Sequence, residues 1–189
     1  MQIEMEKENE FPLYSKLLKV RDQLRSSGHR IALAESCSAG LVAAELGQIP
    51  GISEHFVGSM VVYRTPTKNA WLGIDNRLLL DPEIGPVSRQ VTECLLHALL
   101  ERTPEATFVA SITGHLGPNA PESQDGVVHC GVCFRKEQIA HVRTFHLTAP
   151  PPTDTNDIAA RAQRQRQAAA LLIEMISDHL GQEEKTSFR

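Results

Sequence analysis

Apolar positions along this chain repeat with two alternating periods. Leu13, Leu17, Val20 and Leu24 recur at helical spacing, and Gly28 supplies a C-terminal cap, which predicts a helix over 11–28. The short apolar run that ends at Ala34 predicts a buried strand over 29–34. A helix is expected over 38–48, stopped before Pro50-Gly51, and a Val-rich strand over 57–63. Thr65-Pro66 opens a further helix to about 72, with Pro near its first turn, and 76–80 adds a helical turn. Ser88 is placed as the N-cap of a helix over 89–102, whose Val91, Leu95 and Leu99 share one face. A strand over 107–112 leads into a loop, 113–126, that holds three Gly and two Pro. Strands over 127–134 and 138–147, joined at Arg135-Lys136-Glu137, read as a hairpin. The Pro-rich stretch 149–153 is a stiff connector, and 157–180 is a long helix with Ile158, Ala162, Ala169, Leu172, Ile173 and Ile176 available for burial.

Strands alternate with helices for the first hundred residues, and the hairpin follows. That order predicts an α/β fold: a three-layer α/β/α sandwich whose mixed sheet is mostly parallel, with one antiparallel strand. A single domain is expected over 11–180, with 1–10 and 181–189 as flexible ends. In such sheets ligands sit beyond the carboxyl ends of the strands. Three loops leave strands there: 35–40, 63–67 and 113–126.

Composition then narrows the class. The 189 residues are 41% hydrophobic and 22% charged, ordinary for a globular protein, with a formal net charge of −4. That balance carries no electrostatic footprint for nucleic acid. No stretch approaches the ~20 apolar residues of a membrane span, and the acidic first ten residues hold no apolar signal core, so a cytoplasmic protein is expected. Of the four cysteines, Cys130 and Cys133 form a C-x-x-C within a predicted strand. Residues three apart on a strand face opposite sides, so these thiols are read as packing residues rather than a metal or redox site.

The chemistry-bearing residues fall in the three loops. Ser36 lies just past a strand and just before a helix, where unpaired backbone N–H groups favour a developing oxyanion or a phosphate. Ser36 or Ser38 could equally serve only as a helix cap. Two hydroxyls, preceded by Glu35 and followed by Gly40, exceed what a cap needs. Neither a G-x-S-x-G elbow nor a P-loop is present. A serine nucleophile needs a base. Lys68, if desolvated, can accept the serine proton, and the Tyr63 hydroxyl can relay or anchor it. Taken alone, Lys68 also fits a solvated helix lysine. His55 and His115 are rival bases, placed in loops near the same site. The G-x-x-G at Gly114 to Gly117 is a weak phosphate signal on its own. Arg161, Arg164 and Arg166 are read as a solvated helix face.

In combination these segments resemble one family, the CinA C-terminal domain, the nicotinamide-nucleotide amidases. The matching segments are A-E-S-C-S-A-G from Ala34 to Gly40, P-G-I-S from Pro50 to Ser53, and V-Y-R-T-P-T-K from Val62 to Lys68. They continue as L-G-I from Leu72 to Ile74, G-P-V-S from Gly85 to Ser88, G-H-L-G-P from Gly114 to Pro118, and G-V-V from Gly126 to Val128. A closing Arg-bearing helix completes the pattern. The chain departs from it at Ala39, Arg64-Thr65-Pro66, Asn119-Ala120-Pro121 and Asp125.

The resemblance implies hydrolysis of the carboxamide of nicotinamide mononucleotide to nicotinate mononucleotide and ammonia. It implies Ser36 as nucleophile, with Lys68 and Tyr63 as its activating partners. It further implies Glu35, Cys37, Ser38, Gly40, Thr113 and Gly114 as substrate-binding residues, no metal or other cofactor, and a homo-oligomer. The altered loops at 64–66 and 119–121 point to an alternative: a regulatory module that binds a pyridine nucleotide with weak or no turnover.

Overall fold

Ile31–Glu35 is buried at every position because it is the middle of three parallel strands. The structure, a computed structural model, describes residues 2–187, with side chains described over 13–183. Its helices and strands, in chain order, are α1 (Gln2–Ser27), β1 (Ile31–Glu35), α2 (Leu41–Gly47), β2 (Phe56–Val61), α3 (Thr65–Leu72), α4 (Asn76–Leu79), α5 (Arg89–Arg102), β3 (Phe108–Gly114), β4 (Val127–Phe134), β5 (Ala140–His146) and α6 (Ile158–Ser187). The sheet order is β2-β1-β3-β4-β5. β1 pairs in parallel with β2 and β3, β4 pairs antiparallel with β3, and β5 pairs antiparallel with β4. Four strands therefore run one way and β4 alone runs against them, the mixed sheet expected.

Alternation along β1 divides the interior into two cores. Ile31 and Leu33 join Leu17, Val20, Leu24, Leu172 and Ile176 beneath α1 and α6. Ala32 and Ala34 join Val91, Leu95 and Leu99 of α5 with Leu72 and Leu79 on the other face. The result is three layers, helix on sheet on helix. Cys130 falls in the first core and Cys133 in the second, so the C-x-x-C thiols do face opposite ways. Both are buried and unpaired with any disulfide.

Three helix boundaries shift the most. α1 starts at Gln2 rather than at 11, and α6 runs to Ser187 rather than 180. Gln, Glu and Lys dominate both extensions, and straight side chains lose little rotamer freedom in a helix. So 2–10 and 181–187, expected as flexible ends, are helical; Met1, Phe188 and Arg189 lie outside the described residues. Gly181 lets α6 approach α1, since a Cβ there would meet Gln23 Nε2 at 2.8 Å. α2 starts at Leu41 rather than 38 because Ala39 and Gly40 both adopt left-handed backbone, with φ of 54° and 94°. Among the described residues no helix is long and apolar enough to cross a membrane.

Candidate active site

The carboxyl ends of β1, β2 and β3 lie together at one edge of the sheet, and the turn 36–40 leaves from the central one. Its shape is set by Glu35. This carboxylate is fully buried and accepts five hydrogen bonds. Ser38 Oγ (2.8 Å) and the amides of Gly40 and Val42 (both 3.1 Å) reach Oε2; the Ala43 amide and Ser59 Oγ (both 2.9 Å) reach Oε1. A buried carboxylate is tolerable only when its lone pairs are filled in this way. The side chain that caps α2 is thus Glu35, not Ser36 or Ser38. Glu35, the Ser38 hydroxyl and the Gly40 amide, expected to meet substrate, are occupied with one another.

Ser36 is left free by this arrangement. Its amide donates to Ile112 O of β3 (3.1 Å), which fixes its backbone. Its residue is buried, yet the hydroxyl has no hydrogen-bond partner among the described residues. Among them the only side-chain polar atom both sealed from solvent and unpaired is Thr103 Oγ1. The Ser36 hydroxyl is therefore neither paired nor fully sealed from solvent.

Lys68 sits one turn into α3, which begins at Arg64-Thr65-Pro66 with Pro in the first turn. Far from solvated, it is 2% exposed, and Nζ donates to Pro86 O at 2.9 Å. Burial lowers its pKa from 10.5 to about 8, opposed by the nearby Cys37 thiol. Nζ is close enough to the Cys37 thiol to interact with it electrostatically, and its one hydrogen bond among the described residues is to Pro86 O rather than to Ser36. Cys37 itself is pushed up to about 12 by burial, against the pull of Lys68, so it stays a neutral thiol at physiological pH. Gly114 closes the third side: a Cβ there would meet Val128 Cγ2 at 2.9 Å, Cys37 Sγ at 3.0 Å and Val127 O at 3.1 Å. Ala39 is the one strained residue of the turn, a methyl-bearing residue in a left-handed conformation that costs roughly 1 kcal/mol.

Other expected residues lie elsewhere or are differently engaged. Tyr63 is two residues past β2 and 48% exposed, not the end of a buried strand; its hydroxyl accepts from Arg161 Nη2 at 2.7 Å. Thr113 is buried, with its hydroxyl 2.9 Å from that of Thr92. Thr92 gives its proton to Ser88 O (2.8 Å), so Thr113 donates to Thr92 and has no proton for a ligand. His55 belongs to the opposite edge of the sheet, where Nδ1 meets His29 O just before β1 (3.2 Å). His115 does lie at the site: burial lowers its pKa, a Gln124 hydrogen bond opposes this, and Lys68 lowers it further.

The α6 arginines are the main surprise. Arg164 is 3% exposed, gripping Asp125 through two hydrogen bonds of 2.7 and 2.9 Å, and Nε donates to Ala149 O and Pro150 O (both 3.1 Å). Arg161 donates to Gly117 O as well as to Tyr63. Only Arg166 stays on the exposed face. The one sequence sign of this was the spacing of three between Arg161 and Arg164, which puts both on one helix face.

An unpaired hydroxyl just past β1 and a buried amine on α3, which follows β2, place the chain among α/β proteins with polar groups at the sheet's carboxyl edge. The comparisons specify which. Residues 15–176 match the model of the CinA C-terminal domain. A CinA-like protein of Myxococcus xanthus is 34% identical over 85% of this chain, and one of Mycobacterium leprae 35% identical over 72%. The chain spans about a third of the length of these relatives, 35% and 31%. Among solved structures, the competence/damage inducible protein CihA of Agrobacterium tumefaciens aligns at a TM-score of 0.74 and 25% identity, covering 89% of this chain and 95% of that one. A competence or damage-inducible protein from Enterobacter asburiae shares the fold at a TM-score of 0.77 and 19% identity, over 89% of this chain and 98% of that one. The chain belongs to the CinA C-terminal domain family.

Proposed function

We propose that this chain is a serine amidase that hydrolyses the carboxamide of nicotinamide mononucleotide. The observation that supports this reading is the state of Lys68: a buried amine with a pKa near 8 that interacts electrostatically with Cys37, the residue next to an unpartnered serine hydroxyl. At neutral pH a fraction of such an amine is neutral and able to take a proton. Ser36 Oγ attacks the amide carbon and its proton passes to Lys68 Nζ. The tetrahedral intermediate then expels ammonia, which leaves with the proton returned by Lys68. Water, deprotonated by the same amine, cleaves the acyl-serine ester and releases the carboxylic acid. Neutral Cys37 takes no part as nucleophile. Tyr63, at the mouth, closes over the ligand rather than sharing the buried proton path. The substrate is a small soluble pyridine nucleotide and the working protein a homo-oligomer in the cytoplasm.

One observation favours a module that binds the nucleotide without efficient turnover. Arg161 joins Tyr63 to Gly117, tying two loops together across the mouth and occupying the tyrosine hydroxyl. One experiment separates the two. Purified protein is incubated with nicotinamide mononucleotide and ammonia release is followed, with Ser36→Ala in parallel. Turnover abolished by Ser36→Ala is the expected result. A ligand-dependent rise in Tm with no ammonia from the wild type would replace the amidase with the binding module.

A further inference from the structure

Three histidines outside the Ser36–Lys68 pair share one face of the sheet. On the face that packs α5, alternation along β3 places Ser111 and Thr113, whose hydroxyls meet Thr92 of α5. The next residue in that series is His115, whose amide continues the pairing by donating to Val127 O (2.9 Å). On β4, Gly131 faces the same way, since a Cβ there would meet Leu96, Thr92 and Val142. Two residues earlier, His129 shares that face. Register then sets the neighbours. His129 lies between Thr113 and Thr144, and Val127 lies between His115 and His146. Adjacent strands are about 4.8 Å apart, so His115 and His146 flank Val127 while His129 sits in the next row between them. Arg89 is one turn before Thr92 on α5, toward the same carboxyl edge, and it is exposed.

His129 is the informative member. It is 9% exposed, and Nδ1 is taken by Thr144 Oγ1 at 3.0 Å. Nε2 has no hydrogen-bond partner among the described residues, yet it is not sealed from solvent. A ring that is nine-tenths buried with a nitrogen neither partnered nor sealed from solvent is placed to meet a ligand. The cluster is not spaced to hold a metal ion; no such grouping occurs among the described residues. Its surroundings are cationic. Burial, then Arg89, His115 and His146, all disfavour charge on His129, and Lys68 disfavours it on His115. The carboxylate within reach of His115 is Asp125, and Arg164 already holds it.

We propose that Arg89, His115, His129 and His146 form an anion subsite, which receives the phosphate monoester of a ligand whose amide end reaches Ser36. The choice of a phosphate monoester rests on the amidase reading; the subsite itself does not. A bound anion relieves the mutual repulsion of these groups, so binding takes up protons and tightens as pH falls. Burial and the neighbouring cations push His115 and His129 toward the neutral form, and a bound anion favours their charged form.

Inorganic sulfate is the probe, because its charge is constant between pH 6 and 8. Calorimetry on the full chain is expected to give sulfate affinity about tenfold higher at pH 6 than at pH 8, the effect of roughly half a proton taken up per sulfate bound. Arg89→Gln, at an exposed position that folding tolerates, and His129→Gln are each expected to weaken sulfate about tenfold at pH 6. Sulfate binding that is absent at pH 6, or unchanged by both variants, overturns the subsite. Nicotinamide riboside, which lacks the phosphate, separates the two claims. Turnover of the mononucleotide and the riboside with equal kcat/KM at pH 6 overturns the subsite and leaves the amidase standing. Sulfate bound as expected with neither amide hydrolysed supports the subsite and overturns the amidase.

Discussion

Arg164 and Asp125 meet in a two-pronged ion pair, with guanidinium nitrogens 2.7 and 2.9 Å from the two carboxylate oxygens. The arginine side chain is 4% exposed, its partner 26%. The pair pins the loop 113–126 to α6, and a third arginine nitrogen holds the connector at 149–150. Arg164 matches the negative charge that Asp125 brings to this loop. Asp125→Ala would leave a buried cation without its anion, at a cost of about 3 kcal/mol. The Asp125→Ala/Arg164→Ala double variant should lose less than the sum of the single losses. Urea denaturation of all four proteins measures the coupling, and strict additivity would show that the pair is not energetically linked.

Lys68 ties stability to pH in a direction opposite to most buried lysine partnerships. Its folded pKa, about 8, is below the unfolded value of 10.5. Between those values the unfolded chain holds the proton and the folded chain does not, so this group makes stability rise with pH from about 8 to 10.5. Below pH 8 the buried charge weighs fully against folding. Lys68→Met should therefore stabilise the protein at pH 7, by roughly 1–2 kcal/mol once the lost Pro86 hydrogen bond is deducted, and the gain should shrink as pH rises past 8. Thermal melts at pH 7 and pH 10 test this. An equal effect at both would mean that the amine is not desolvated.

The same pKa sets the rate profile. A neutral Lys68 is the competent base, so kcat/KM for the mononucleotide should climb with pH and level off above about 8. Lys68→Ala should lower kcat much more than it raises KM. A rise in KM alone would remove the amine from the proton path.

Glu35→Gln keeps the side-chain shape but replaces one of the two acceptor oxygens with a donor. Five donors converge on that carboxylate, and an amide cannot satisfy them all. A loss of about 3 kcal/mol is expected, with α2 the first element to lose amide protection in hydrogen exchange. An unchanged Tm would contradict the cap.

Thiol reactivity gives an independent reading of the two cores. Cys37, Cys130 and Cys133 are buried and their pKa values are raised, chiefly by burial; Cys94 is raised too, but is only half-buried. A thiol reagent should therefore label one cysteine slowly in the native protein and all four in denaturant. Fast native labelling at Cys37 would mean that the Ser36 turn opens.

Gly114→Ala would press a methyl into Val128 Cγ2, Cys37 Sγ and Val127 O, at 2.9 to 3.1 Å. Overpacking at such distances costs about 1–3 kcal/mol, and the shift would be passed through Cys37 to its neighbour Ser36. Activity is expected to fall further than the stability loss accounts for. Activity retained in full would uncouple the β3 end from the serine turn.

The layers, the strand order along the chain and the position of the serine turn were readable in the sequence because they rest on local periodicity. Apolar spacing of 3.6 or 2 is imposed by backbone geometry, and Ser88 at the start of α5 behaves as its residue type predicts, accepting from the Val91 amide at 3.2 Å. Side-chain roles that depend on a distant partner were not readable. Glu35 looked like a ligand contact because nothing local announced that Ser59, 24 residues on, would close around it. Arg164 looked solvated because its partner is 39 residues away. Tyr63 looked buried because the strand was read two residues too far. His129 drew no attention, since its meaning comes from the strands on either side.

The amino-acid sequence by itself determined that this protein is an α/β sandwich with a hydroxyl turn after its first strand and a lysine five residues past Tyr63. The tertiary structure alone decided that the lysine is buried and near neutrality, that Glu35 is a cap, and that two arginines fasten the loops around the site. Periodicity is a property of neighbours in the chain, whereas desolvation and charge pairing are properties of neighbours in space, which only the packed fold brings together.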